Sequence, residues 1–300
     1  MGNKKKKQME FRYYEIPYGE PVLALMGEHW NRSYGLDENR QPITDLHFHN
    51  LMEIGCCYHG EGELLLENER FPFSGGMISV IPENYPHTTT SRSGKNSQWE
   101  YLFLDVPQTV RELFGEDRRM SDWILSRCAK GAFCKSRKEA PVLFHLAVMI
   151  FREMEEKRER YQEAVRGLLK AFLIEAARNQ ESGEKKNGNG GGIRKLPAGG
   201  LGETRHISAA LEYIHLHYGE PVRIGELAAA CHLSEPHFRR LFVQCMGMPP
   251  LDYLNHVRIE KACERMKKGG TLHRRGGGAF RIFQRGDVSA EFPADYGNFP

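Results

Sequence analysis

The sequence predicts a multidomain α+β protein, with a β-rich N-terminal domain and helical hairpin joined by a linker to an all-α C-terminal domain. Short β-like runs separated by turn residues fill the stretch from about residue 20 to residue 105. Apolar residues then recur at helical spacing, and a stretch rich in Gly, Lys and Asn separates them from further helical runs. With 300 residues, 40% hydrophobic and 27% charged, the chain is long enough for two ordinary globular domains.

The first predicted domain covers residues 1–108 and consists of strands. No helical pattern interrupts its β-like runs, so an antiparallel sandwich or barrel is expected. These runs are "PVLALM", "EIGCCYHG", "GELLLENERF", "GGMISVIP" and "WEYLFLD".

The sequence shows no pattern typical of a targeting signal and no C-x-x-C cysteine pair. The start "MGNKKKKQMEF" has no apolar stretch behind its lysines, and no run approaches the ~18 residues of a membrane span. The sequence therefore predicts a cytoplasmic protein with no membrane partner. Seven cysteines without a C-x-x-C pair favour a reducing compartment over a disulfide framework or a Cys-based zinc site.

A helical region is expected over residues 109–180 and a flexible linker over 181–204. The linker is nearly all Gly, Lys, Glu, Asn and Pro, which cannot bury enough apolar surface to fold. A fresh helical run then opens a domain over residues 205–268. The apolar stripes of the first region are Leu143, Leu146, Ile150 and Met154, then Val165, Leu168, Leu169, Phe172 and Leu173.

A cluster of metal-ligating side chains is expected inside the β-rich domain. In "HFHNLME", His47, His49 and Glu53 are separated by even steps, so on a strand all three share one face. His87 follows a Pro-containing turn in which Asn84 tolerates the left-handed conformation. Three imidazoles and a carboxylate could hold a divalent transition metal, or they could brace a small-molecule pocket without any ion.

These residues resemble the two motifs of the cupin superfamily. The first motif is matched by His47, His49, Glu53 and Gly60. The second is matched by Gly76, Pro82 and His87, with Asn84 in place of a Gly, and Gln41 stands where the first motif has its early Gly. The resemblance implies a cupin-like antiparallel β-barrel.

A basic exposed helix is predicted after a short helix and a tight turn. Ser234 is expected as its N-cap and Pro236 fits its first turn, while Gly247 can close it in a left-handed cap. Helix, tight turn and basic helix are typical of a helix-turn-helix that enters the major groove, although spacing alone also fits an ordinary helical hairpin. The apolar face carries Phe238, Leu241, Phe242 and Cys245, and the other side carries Pro236, Arg239, Arg240, Val243 and Gln244.

The run "ELAAACHLSEPHFRRLFVQCMGMPPLDYLNHVRIEKA" resembles the first helix-turn-helix of the AraC/XylS transcription regulators. The resemblance implies double-stranded DNA as a partner, with Pro236, Arg239 and Arg240 facing bases and His237 and Gln244 contacting the backbone. It also implies a small-molecule effector in the barrel near the cluster and a homodimer formed through helices within residues 140–180.

The last segment, residues 269–300, does not fit this family. A second helix-turn-helix is expected there, but "TLHRRGGGAFRIFQRGDVSAEFPADYGNFP" has no basic amphipathic helix. When permitted codons are chosen for its last eleven residues and read one base later, they encode Arg-Asn-Phe-Arg-Arg-Ile-Met-Gly-Ile-Ser-Pro. In this shifted reading, the Phe, Gly and Pro have the same spacing as Phe242, Gly247 and Pro250. We therefore predict that this unit is lost to a shifted reading frame, which the nucleotide sequence of codons 265–300 would test.

The sequence thus predicts a ligand-responsive, DNA-binding transcription regulator without catalytic residues or an obligatory cofactor. Two alternatives remain open: a metal-dependent cupin enzyme with an accessory helical domain, and a dimerising sensor that has lost DNA binding. The sequence does not specify the effector, the operator, or activation versus repression.

Overall fold

The computed structural model describes residues 9–26, 31–32, 46–67, 69–92, 96–181 and 201–267. Most of the predicted linker and the segment 269–300 lie outside these residues. The strands are β1 Glu10–Arg12, β2 Leu23–Leu25, β3 Asn31–Arg32, β4 His47–His49, β5 Met52–His59, β6 Glu61–Leu66, β7 Glu69–Ser74, β8 Met77–Ile81, β9 His87–Ser91, β10 Ser97–Leu104 and β11 Phe133–Ser136. The helices are α1 Val106–Phe114, α2 Arg118–Cys128, α3 Pro141–Glu156, α4 Tyr161–Glu181, α5 Ser208–His217, α6 Ile224–Ala230, α7 Glu235–Met246 and α8 Pro250–Lys267.

The strands form two sheets in the N-terminal domain. One has the order β1-β4-β9-β6-β7, and the other has the order β11-β8-β5-β10-β2, with β3 also paired to β10. The prediction of a purely antiparallel domain is wrong at one edge, because β1 pairs with β4 in parallel. The mixed α+β class is confirmed, and the closure of the two sheets into one barrel stays a prediction.

Two glycines of the cupin-like motifs lie at turns that require glycine. Gly60 has a φ of +95° between β5 and β6, and a Cβ there would lie 2.5 Å from the Ser97 hydroxyl. Gly76 has a φ of +84° at the tight turn before β8. Side chains rarely adopt this left-handed backbone, so both turns, which connect strands of different sheets, favour glycine.

The helical region of the N-terminal domain packs on the second sheet. The predicted apolar stripe of α3 is buried at Leu143, Ile150 and Met154, and the stripe of α4 is buried at Val165 and Leu169. Both stripes belong to an apolar cluster that includes Ile54 and Leu102 of the sheet. The region also contains a strand, β11, which pairs with β8 and was expected to be helical. Its pairing with a long-range partner overrides local preference.

The C-terminal module, residues 201–267, is helical and packs on the first sheet. One apolar cluster joins Phe11, Phe48 and Leu65 of that sheet to Leu211 and Phe242 of the module. The module begins with a 3-10 turn, Leu201–His206, so the last four residues of the predicted linker are ordered. Among the described residues, no helix is long and apolar enough to cross a membrane.

Candidate functional site

Strand β4 and the turn after β8 bring the four predicted cluster residues together. His47 and His49 flank Phe48 on β4, Glu53 lies on β5, and His87 opens β9 directly opposite His47. One ligand atom from each of the four side chains lies within 4.8 Å of the others. Asn84 has the left-handed φ of 58° that was expected, and its backbone N–H donates to the His49 carbonyl at 2.7 Å. We call these four residues the histidine cluster.

Backbone carbonyls orient two of the imidazoles toward the cluster centre. His49 Nδ1 donates to the Leu51 carbonyl at 2.7 Å, and His87 Nδ1 donates to the Tyr85 carbonyl at 2.9 Å. Each Nε2 is therefore unprotonated in the neutral ring and faces Glu53, at 3.3 Å from His49 and 3.5 Å from His87. Both Nε2 atoms are buried and make no hydrogen bond within the described part of the chain.

Burial sets the protonation of the cluster. It lowers the pKa of His47 well below its usual value, and the nearby His87 and Arg12 lower it further. Burial also lowers the pKa of His49. It would raise the pKa of Glu53, but the facing imidazoles of His87 and His49 outweigh it and hold that pKa far below the ordinary range. Burial therefore favours the neutral form of His47 and His49, next to a buried carboxylate at Glu53.

This donor set fits a divalent transition metal ion. Neutral imidazole and ionised carboxylate are the ligating forms of these side chains. The hydrogen bonds from Nδ1 to backbone carbonyls are typical of metal-bound histidine, because they fix the tautomer and the ring orientation. Ligand atoms roughly 2.1 Å from an ion lie at most about 4.2 Å apart, so the observed 4.8 Å requires only small side-chain shifts.

Two side chains beside the cluster were not found by sequence reasoning. The Tyr14 ring lies 5.7 Å from the His49 ring and 4.2 Å from Phe103. Partial removal of Arg12, on β1, from water lowers its pKa, but Glu10 at 2.7 Å and, more weakly, Glu53 raise it above its usual value. Both residues reach the cluster only because β1 pairs with β4, and no motif in "FRYYE" indicates that pairing.

The second predicted site is a helix-turn-helix formed by α6 and α7. Residues 231–234 connect the two helices, and His232 has a left-handed φ of 54° in this turn. Phe238 and Phe242, on the predicted apolar face of α7, are buried, and Gly247 ends the helix with a φ of 73°, as expected. The other face of α7 is left to solvent.

All six predicted DNA-contacting residues are exposed on α7 or at its start. Arg239 forms a half-exposed ion pair with Glu235 at 3.6 Å, which contributes little and can be exchanged for a phosphate. Ser234 holds the N-cap position, as expected, and its side chain makes no capping hydrogen bond. The six are Ser234, Pro236, His237, Arg239, Arg240 and Gln244.

A chain of aromatic contacts connects the two sites. Phe48, between His47 and His49 on β4, contacts Phe11 with ring centroids 5.1 Å apart. Phe11 contacts His215 of α5 at 5.5 Å, and His215 Nε2 lies 3.1 Å from the Tyr253 hydroxyl. Tyr253 contacts Phe242 of α7 at 5.7 Å. Burial, with Lys261 nearby, lowers the pKa of His215 to about 4, so the connecting imidazole is neutral at pH 7.

Residues 33–177 match the family described as AraC-like ligand binding domain. The matched stretch includes the histidine cluster, all of α3, and α4 as far as Ala177. No curated protein sequence matches the chain.

Solved structures of low sequence identity resemble the chain. ToxT from Vibrio cholerae O395 is 11% identical, with 83% of this chain and 82% of that chain covered and a TM-score of 0.42. The AraC-like transcriptional activator CuxR is 15% identical, with 72% and 68% covered and a TM-score of 0.32. Wild-type ToxT from strain SCE256, bound to unsaturated fatty acid, is 12% identical, with 78% and 93% covered and a TM-score of 0.33.

Proposed function

Because this chain carries an AraC-like ligand-binding domain over residues 33–177, we propose that it is a ligand-responsive transcription regulator that binds double-stranded DNA through α7. The single observation that carries the DNA-binding half is the exposed basic face of α7, which is held by a buried apolar face after a tight turn. Such a helix fits the major groove, where arginine makes bidentate contacts with guanine. Nothing in this proposal requires catalysis.

Selection from random duplexes tests the DNA-binding proposal. The chain is expected to enrich a short recurrent sequence, because base contacts give preference and phosphate contacts give affinity. Binding measured by fluorescence anisotropy should weaken steeply with salt, with each phosphate contact adding about 0.9 to the slope of log affinity against log salt. Absence of any enriched sequence, together with a flat salt dependence, would contradict the proposal.

We propose that the histidine cluster is the effector site and that its ligand is a divalent transition metal ion. His47, His49, Glu53 and His87 would hold the ion, whose positive charge would compensate the buried Glu53 carboxylate. Two unpartnered imidazole nitrogens that face this carboxylate support the assignment. The alternative ligand is an organic molecule braced by the same side chains.

Titration with Co²⁺ tests the metal assignment, because bound cobalt gives visible absorption bands that report its ligands. The chain is expected to bind one Co²⁺, and His49→Ala to weaken binding by more than about tenfold, since loss of a ligand exceeds the usual effect of outer-shell changes. The matched control is His59→Ala, because His59 is exposed at the far end of β5 and should leave binding unchanged. Equal affinities in the wild type and His49→Ala would assign the cluster to another ligand.

The aromatic contacts supply a route from the effector to DNA. Side chains alternate along a strand, so Phe48 points away from His47 and His49 and into the apolar cluster shared with the C-terminal module. A ligand that shifts β4 would therefore also shift the surface on which α5 packs. We propose that effector binding acts through this contact on the orientation of α7.

We also propose that two copies associate through the outer face of α3. Val142 and Met149 are exposed there, 55% and 45%, while the inner face of the helix is buried in the chain's own core. The predicted stripe Leu143, Ile150 and Met154 thus stabilises the N-terminal domain itself and is not free for a partner. Sedimentation equilibrium would measure the association directly.

A further inference from the structure

Glu235 is the first residue of α7, at the end of the helix that is proposed to enter the major groove. The N-terminal residues of such a helix are the ones that contact base edges. The Glu235 side chain is 51% exposed, and the neighbouring residues Ser234, Pro236 and His237 are exposed as well. Because DNA is a polyanion, a carboxylate at this position opposes binding unless it has a specific partner in the duplex.

The Glu235 carboxylate is held at the edge of α7 that faces α6. A Cβ at Gly225, in the first turn of α6, would lie 2.9 Å from Glu235 Oε1, so the carboxylate occupies space that a side chain at position 225 would need. On its other side, Glu235 Oε2 lies 3.6 Å from Arg239 Nη2, one helical turn along α7. These two contacts place the carboxylate beside one of the two arginines of the exposed face.

Binding of DNA through α7 separates this ion pair. Arg239 exchanges Glu235 for a base or a phosphate, and an exposed pair of this kind is weak enough to allow the exchange. The carboxylate then lies in the interface without its guanidinium partner, and an ionised carboxylate can only accept hydrogen bonds. Phosphate oxygens repel it, and a charged acceptor left unsatisfied in an interface is costly. Glu235 therefore needs a hydrogen-bond donor from the bases.

The major groove offers such donors only at amino groups. These are N4 of cytosine and N6 of adenine, whereas guanine and thymine present acceptors there, and cytosine is the usual partner of glutamate. Residues four apart on a helix are separated by about 6 Å along its axis, and successive base pairs by about 3.4 Å. Glu235 thus reaches a base pair within about two steps of the one that Arg239 contacts.

We propose that Glu235 is a base-reading residue that selects a cytosine near the base read by Arg239. This inference rests on the proposed binding of DNA through α7, to which it adds a residue and a preferred base. Glu235 supplies sequence preference at the expense of affinity, because its charge repels the phosphates of any duplex. A variant without the carboxylate therefore binds unrelated DNA more tightly and discriminates less between bases.

Selection from random duplexes tests this role with the full-length wild type, Glu235→Gln and Glu235→Ala. The wild type is expected to enrich a sequence with cytosine at one position, and Glu235→Gln to change that position to adenine, because glutamine pairs with N6 and N7 of adenine. In Glu235→Ala, discrimination at the same position should fall at least about fivefold. The other positions should keep their preferences in both variants.

Glu116→Gln is the matched control, since Glu116 is an exposed carboxylate of the N-terminal domain and its loss changes the net charge equally. Its enriched sequence should equal that of the wild type. Anisotropy titrations with a scrambled duplex should show tighter binding in Glu235→Ala than in the wild type. A wild-type sequence that stays the same in Glu235→Gln and Glu235→Ala would overturn the role of Glu235 and leave the proposed DNA binding intact. Absence of any enriched sequence in the wild type would overturn both.

Discussion

Replacing Arg239 and Arg240 together with alanine is expected to lower the affinity for a selected DNA site by at least about 30-fold. Each bidentate arginine contact with a base contributes roughly 1–3 kcal/mol, and both side chains are exposed on the free face of α7. When Arg239 binds DNA, it loses only its half-exposed ion pair with Glu235. Anisotropy titrations with the selected duplex and with a scrambled duplex measure the loss.

The adjacent pair Arg118 and Arg119 provides the matched control. Both are exposed on α2 of the N-terminal domain, so replacing them removes the same charge away from the proposed interface. That variant should keep its preference for the selected duplex over the scrambled one, while the α7 variant loses it. A similar loss in both variants would mean that DNA binding depends on overall charge and not on α7.

Phe48→Ala is expected to destabilise the protein by about 3–5 kcal/mol and to remove the effect of Co²⁺ on DNA affinity. The Phe48 ring is fully buried between the two halves of the chain, so its loss leaves a cavity at their contact. Since the mutation leaves His47 and His49 in place, cobalt binding itself should persist. Thermal unfolding measures the first effect, and DNA titrations with and without cobalt measure the second.

Phe73→Ala separates lost stability from lost coupling. Phe73 is buried in the N-terminal domain beside Trp99, in an apolar cluster that does not include the C-terminal module. This variant should lose comparable stability and keep the DNA response to cobalt. If Phe48→Ala does not fold, the milder substitution Phe48→Leu replaces it in the same measurements. A wild-type effect of cobalt on DNA affinity in Phe48→Leu would contradict the proposed route.

Local patterns were sufficient to predict the components of both sites. Even spacing places His47 and His49 on one face of β4, and a period of 3.6 residues separates Phe238 and Phe242 from Arg239 and Arg240. The expectation that Glu53 continues the same strand is wrong, because the chain bends at residues 50–51 and Glu53 lies on β5 of the other sheet. The predicted N-cap position of Ser234 is confirmed, although its hydroxyl makes no capping hydrogen bond.

Contacts between distant segments could not be predicted in this way. The pairing of β1 with β4 places Arg12 and Tyr14 beside the histidine cluster, and the pairing of β11 with β8 makes a strand in a region expected to be helical. Thr204 meets Asn84 across 120 residues of sequence, within a segment expected to be a flexible linker. The segment 269–300, with its predicted shift of reading frame, lies outside the described residues.

The sequence by itself determined which residues could form a histidine cluster and a basic helix, because strand and helix periodicity are local properties of the chain. Only the tertiary structure decided that Phe48 connects the two sites, and that β1 brings Arg12 and Tyr14 to the histidine cluster. Both features depend on which surfaces become buried together. Burial gives long-range packing its free energy, and no short stretch of sequence encodes the partner that a surface will meet.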